Sequence, residues 1–132
     1  ENWDRIMNVN LKSMFLTAKY CIPVMRDQQS GVVINISSVA AIAATSMLAY
    51  KTSKAGVVAL TQQIASANAR FGIRANCILP GLMNTPMAVP VRHHLSPHNL
   101  TLQSIMIIQQ SNGIFGWMTK MLFFVDKVLL RV

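Results

Sequence analysis

Tyr50 and Lys54 stand four positions apart in a segment whose apolar spacing predicts a helix. A helical turn takes 3.6 residues, so the two side chains share one face. A phenol with a pKa near 10 is a poor base at neutral pH. An ammonium beside it favours the phenolate and lowers that value. A phenol tuned in this way can give a proton to a carbonyl oxygen or take one from a hydroxyl. The four-residue spacing alone is common, and a solvated helix face carries it equally well. Ser38 adds weight. It follows a β-branched run and precedes Tyr50 by twelve positions. The C-terminal ends of parallel strands are where α/β sheets place their ligands. A serine there can hydrogen-bond a carbonyl oxygen and polarise it; its plain alternative is a turn-capping role. Pro80-Gly81, with Thr85 just beyond, ends the next apolar run. Glycine permits close backbone approach to a ligand and Thr85 offers a hydroxyl, whereas an ordinary strand-ending turn needs neither.

The elements that must position these groups are legible. Apolar Ile6, Val9, Leu11, Phe15, Ala18, Ile22 and Met25 recur at near-helical spacing, predicting a helix over 3–27 with Asn2 as its N-cap. After Gly31, the run Val32-Val33-Ile34-Asn35-Ile36 predicts a strand, apolar enough to be buried on both faces. Small residues 39–46 form a loop into a second long helix over 47–70, closed by Gly72. A second strand follows over 73–79. Helix, strand, helix, strand implies parallel strands joined by a right-handed crossover. The expected fold class is α/β, a partial Rossmann-like doubly wound parallel sheet representing its C-terminal half. Residues 88–132 give no clean period; one helix near 114–130 is the only element expected there.

Composition narrows the function classes. The chain has 132 residues, 52% of them apolar, enough for one compact core. Its net charge of +8 arises from twelve Lys/Arg against four Asp/Glu. The basic residues are dispersed, so acid scarcity sets the charge and no nucleic-acid partner is expected. No apolar run reaches membrane-spanning length and no secretory signal is visible, so no membrane partner is expected and the cytoplasm is the default compartment. Cys21 and Cys77 lie in apolar segments without metal or redox spacing and read as buried thiols. His93, His94 and His98 lack a supporting Cys or carboxylate, so no metal is expected.

Four ordered motifs carry a resemblance. They are N-V-N-L-K at 8–12, I-N-I-S-S at 34–38, Y-K-T-S-K at 50–54 and I-R-A-N-C-I-L-P-G-L-M-N-T-P at 73–86. In order and spacing they are similar to those of the short-chain dehydrogenase/reductase family. The resemblance covers residues 1–87, read as the catalytic half of the family's Rossmann-like domain, and leaves 88–132 as an atypical tail of unclear structure.

That resemblance implies an NAD- or NADP-dependent oxidoreductase interconverting an alcohol and a carbonyl of a small-molecule substrate. Tyr50 is then the proton donor/acceptor. Lys54 lowers its pKa and holds the nicotinamide ribose. Ser38 orients the substrate oxygen. Asn10 resembles the helix asparagine that supports a proton-relay water. Pro80, Gly81, Met83 and Thr85 resemble the loop beside the nicotinamide. Ser37 is the alternative to Ser38: it matches the family's usual spacing to Tyr50, which Ser38 undershoots by one, but alternation along a strand turns it to the other face. Relatives also carry a Gly-rich phosphate loop and early strands that no glycine spacing here reproduces, so the chain reads as N-terminally truncated. The alternative is a non-catalytic fragment keeping only the helices 3–27 and 47–70, through which the family commonly forms homo-oligomers.

Overall fold

A computed structural model of the protein describes residues 2–81 in full, and residues 105–110, 119–125 and 128–131 as backbone strands. Asn2 caps the first helix, α1 (Trp3–Met7), its side-chain oxygen accepting from the Arg5 amide at 3.0 Å. A π-helical turn over Asn8–Lys12 leads into α2 (Ser13–Asp27). The helix expected over 3–27 is therefore present but contains one wide turn. Apolar spacing tolerates a single widened turn, so the pattern did not announce it. The wide turn packs closely on the next helix, since a Cβ built on Gly56 would come 2.7 Å from Leu11 Cδ2.

Strand β1 (Gly31–Ile36) is followed by a 3₁₀ turn at Val39–Ala41, then α3 (Leu48–Asn68). A second 3₁₀ turn, Ala69–Phe71, ends on Gly72 at φ 69°. That left-handed conformation, with a Cβ only 2.6 Å from the Gln29 carbonyl oxygen, requires glycine. Strand β2 (Ile73–Pro80) runs parallel to β1, from Gly31 opposite Ile73 to Ile36 opposite Ile78. This is the expected strand–helix–strand unit, and the chain is an α/β protein of Rossmann-like class.

Both long helices cover one face of the strands. Ile22 of α2 and Ile64 and Ala65 of α3 pack with Ile73 and Ala75. Val57 packs with Cys77 and Leu79 further along. Ile73 and Leu79 are fully buried, each stabilising the fold by about 1.5–3 kcal/mol relative to exposure.

Three expectations need correction. β1 is not buried on both faces: Val32, Ile34 and Ile36 are 49%, 58% and 44% exposed, because among the described residues no helix covers their side. Among the described residues β1 also stands at the edge of the sheet, paired with β2. The helix expected near 114–130 is absent where that span is described. Its described residues fall in β4 (Thr119–Val125) and β5 (Val128–Arg131), which with β3 (Ile105–Gln110) extend the sheet antiparallel beyond β2. A short apolar run of this length fits strand or helix equally, and pairing of β4 with β3 and of β5 with β4 decided it. Cys77 is buried as expected, but Cys21 is exposed on α2.

Candidate active site

The site gathers where the C-terminal end of β1 meets the first turns of α3. Tyr50 and Lys54 share a face of α3, the Lys54 Nζ lying 5.7 Å from the centroid of the Tyr50 ring. Lys54 is tied to the strand end at both extremities. Its ammonium donates to the Ile36 carbonyl at 3.2 Å, and its backbone carbonyl accepts from the Ser37 hydroxyl at 2.7 Å. Burial holds the Lys54 pKa below the ordinary lysine value, and Cys77 opposes that shift. Burial also pushes the Cys77 thiol up, opposed by the polar groups of Thr61 and Ser37 and by the charge of Lys54.

Ser37 and Ser38 are physically distinct. Ser37 is 3% exposed; its amide donates to the Ile78 carbonyl at 2.8 Å and its hydroxyl to α3. Ser38 is partly exposed and heads the 3₁₀ turn, its hydroxyl oxygen accepting from the Ala40 amide at 3.2 Å. The hydroxyl proton of Ser38 is thus not engaged by that bond.

Asn10 lies in the wide turn, and its Nδ2 donates to the Ser53 hydroxyl at 3.0 Å. Ser53 in turn donates to the Tyr50 carbonyl at 2.7 Å. Asn10 therefore connects to the helix turn that carries Tyr50 and Lys54. π turns recur at functional sites because they re-aim a side chain that a regular turn would point elsewhere.

Pro80 ends β2, and Gly81 follows it, both partly exposed. Met83 and Thr85, and the histidines His93, His94 and His98, lie outside the described residues. Among the described residues no three His, Cys, Asp or Glu side chains gather at metal-binding distance. No helix there is long and apolar enough to cross a membrane.

Sequence reasoning missed several supporting groups. Ser53 and Thr61 are buried polar residues on the strand-facing side of α3, with Thr61 accepting from Asn35 at 2.9 Å and donating to the Val57 carbonyl at 2.7 Å. A polar residue at a core-facing helical position was the available signal. Lys51 was missed altogether; its ammonium reaches the carbonyls of Ala40, Ala41 and Ala43.

The fold is Rossmann-like α/β, with Tyr50 and Lys54 side by side at the end of β1. The family model for short chain dehydrogenases matches residues 1–96, and the chain belongs to that family. It is 46% identical over 87 residues to dehydrogenase/reductase SDR family member 6 of Aquarana catesbeiana, covering 64% of this chain and 36% of that one. It is similar to NAD+-bound xylitol dehydrogenase, with TM-score 0.64 and 30% identity over 69% of this chain and 35% of the other. A gluconate 5-dehydrogenase from Burkholderia cenocepacia, in complex with NADP and tartrate, aligns with TM-score 0.62 and 34% identity over 64% of this chain and 33% of its own. The chain thus spans about a third of the length of these relatives.

Proposed function

We propose that the chain supplies the proton-transfer half of an NAD(P)-dependent oxidoreductase that interconverts an alcohol and a carbonyl. The observation that carries this reading is the shared face of Tyr50 and Lys54 at the mouth of β1, with Ser38 on the adjoining turn. Tyr50 gives its phenolic proton to the carbonyl oxygen in reduction and takes the hydroxyl proton in oxidation. Ser38 donates to the same oxygen and fixes its direction. Lys54 stands beside the Tyr50 ring, and burial lowers its own pKa from the ordinary lysine value.

The donor set fits a nicotinamide dinucleotide. An ammonium carries three donors, and the Ile36 carbonyl takes one of those of Lys54, leaving others for ribose hydroxyls. Pro80 ends β2 and Gly81 follows it; with Met83 and Thr85 they form the loop beside the nicotinamide by family resemblance. The dinucleotide, when bound, supplies the hydride chemistry. Asn10, through Ser53, holds the Tyr50 turn and supports a proton-relay water. The family's habits further support a homo-oligomer in the cytoplasm. Helices α1–α3 present exposed Val9, Phe15 and Tyr20 and a groove of about 440 Å³ between Leu11, Phe15, Gly56 and Leu60, suited to a second subunit.

Titration of the chain with NADH and NADPH, followed by nicotinamide fluorescence, tests the reading. Saturable micromolar binding is expected. Tyr50→Phe should then lower turnover by about 10²–10⁴-fold while leaving that binding intact. Absence of binding, with self-association by sedimentation, would favour the second reading: a non-catalytic fragment that keeps the subunit-contact helices. The short span of the chain against its relatives is the observation behind that alternative.

A further inference from the structure

Lys51 follows Tyr50 directly, and successive helical residues point about 100° apart. Its side chain therefore leaves the Tyr50–Lys54 face and crosses to the turn after β1. There the ammonium donates to the Ala43 carbonyl at 2.6 Å, to Ala40 at 3.2 Å and, weakly, to Ala41 at 3.4 Å. These carbonyls lie at the C-terminal end of the 3₁₀ turn Val39–Ala41, where helical carbonyls have no onward partner. A cation is the favoured occupant of such an end. The N-terminal end of the same turn is capped by the Ser38 hydroxyl.

One three-residue turn thus joins two side chains. Ser38 closes its start and Lys51 closes its end, while Lys51 is covalently next to Tyr50. We propose that Lys51 is a positioning residue that sets where Ser38 stands relative to Tyr50, and so the direction in which a carbonyl oxygen is held between them. This rests on the oxidoreductase reading above. Apolar packing holds only part of this loop: Val39 and Ala41 pack against the Val57, Cys77 and Leu79 cluster, whereas Ile42 beyond them is 56% exposed. The Lys51 ammonium ties down the carbonyls at that less packed end. The Lys54 ammonium lies elsewhere, donating to the Ile36 carbonyl at the end of β1.

Amide hydrogen exchange by NMR on the 132-residue chain tests the role, read at Ala40, Ala41, Ile42 and Ala43. Lys51→Met keeps the stem and removes the donors; exchange at these amides should rise about tenfold, while β1 and β2 amides keep their wild-type rates. Lys51→Arg keeps donors at the same reach and should restore protection to within about twofold of wild type. A third measurement needs no variant: the wild-type Lys51 ammonium should give a slowly exchanging ¹⁵N–¹H signal at neutral pH, as a carbonyl-held ammonium does. Loop exchange unchanged in Lys51→Met, or a Lys51 ammonium in fast exchange with water, overturns the proposal. The two readings fail separately. Loss of NADH and NADPH binding with these signals intact sinks the oxidoreductase reading, whereas bound nicotinamide with unprotected loop amides sinks the role of Lys51.

Discussion

The two faces of the β1–β2 pair are opposites. On the helix side Val33 and Asn35 of β1, and Ser37 just past its end, join Ile73, Ala75, Cys77 and Leu79 of β2 beneath α2 and α3, and no buried side-chain polar atom among the described residues lacks a partner. On the other side Val32, Ile34 and Ile36 face outward, largely exposed, on an edge strand. Tyr50 and Lys54 stand on α3, which packs on the closed face. The bonds that tie Lys54 to Ile36 and Ser37 run on the helix side and not on the open face. The open face leaves apolar surface that invites association.

Substitutions can break this contrast. Leu79→Ala, on the closed face, should cost about 2–5 kcal/mol in urea or thermal unfolding, through lost burial and the cavity left behind. A cost near zero would show that the face is not packed. Ser37→Ala should cost about 1–3 kcal/mol, because the Lys54 carbonyl loses its donor in a buried setting. Ile34→Lys, on the open face, should change stability by no more than about 0.5 kcal/mol, and light scattering should show less self-association. A large destabilisation there would mean that the face is covered in solution.

The smallest effects are those of pH. The folded pKa of Cys77 lies above its ordinary 9.0. The native state thus keeps a proton that the unfolded chain releases, and stability from Cys77 is lost as pH rises through its folded value. Lys54 has the reverse sign. Its folded pKa lies below 10.5, so its contribution is present above 10.5 and lost as pH falls through the folded value. Denaturation curves across alkaline pH should therefore show the advantage of wild type over Cys77→Ala shrinking above pH 9.0, while Lys54→Met loses the rise toward 10.5. Parallel curves for wild type and Cys77→Ala would remove the buried-thiol account.

Much of the site was legible because it is local. Tyr50 and Lys54 lie one turn apart, and helix geometry alone puts them together. Asn2 and Gly72 announced a helix start and a helix end through chemistry that acts within a few residues, and both hold. Lys51 was not legible, because its partners are eight to eleven positions away across a turn whose path no periodicity specifies. The wide turn at Asn8–Lys12 was hidden for a related reason: one extra residue in a helix barely disturbs apolar spacing, yet it decides what Asn10 reaches.

By itself the sequence determined the parallel strand–helix–strand unit, the shared face of Tyr50 and Lys54, and the family, since each follows from spacing within one element or from ordered motifs. Only the tertiary structure decided that Ser37 turns into α3 while Ser38 caps an exposed turn, that Val32, Ile34 and Ile36 stand uncovered, and that residues 105–131 include three strands. Those outcomes depend on which surfaces meet, and the meeting of distant surfaces is not written in any local period. The Tyr50–Lys54 pair is therefore a fact of the helix, whereas the hold on it from Ser37, Ser53 and Lys51 is a fact of the fold.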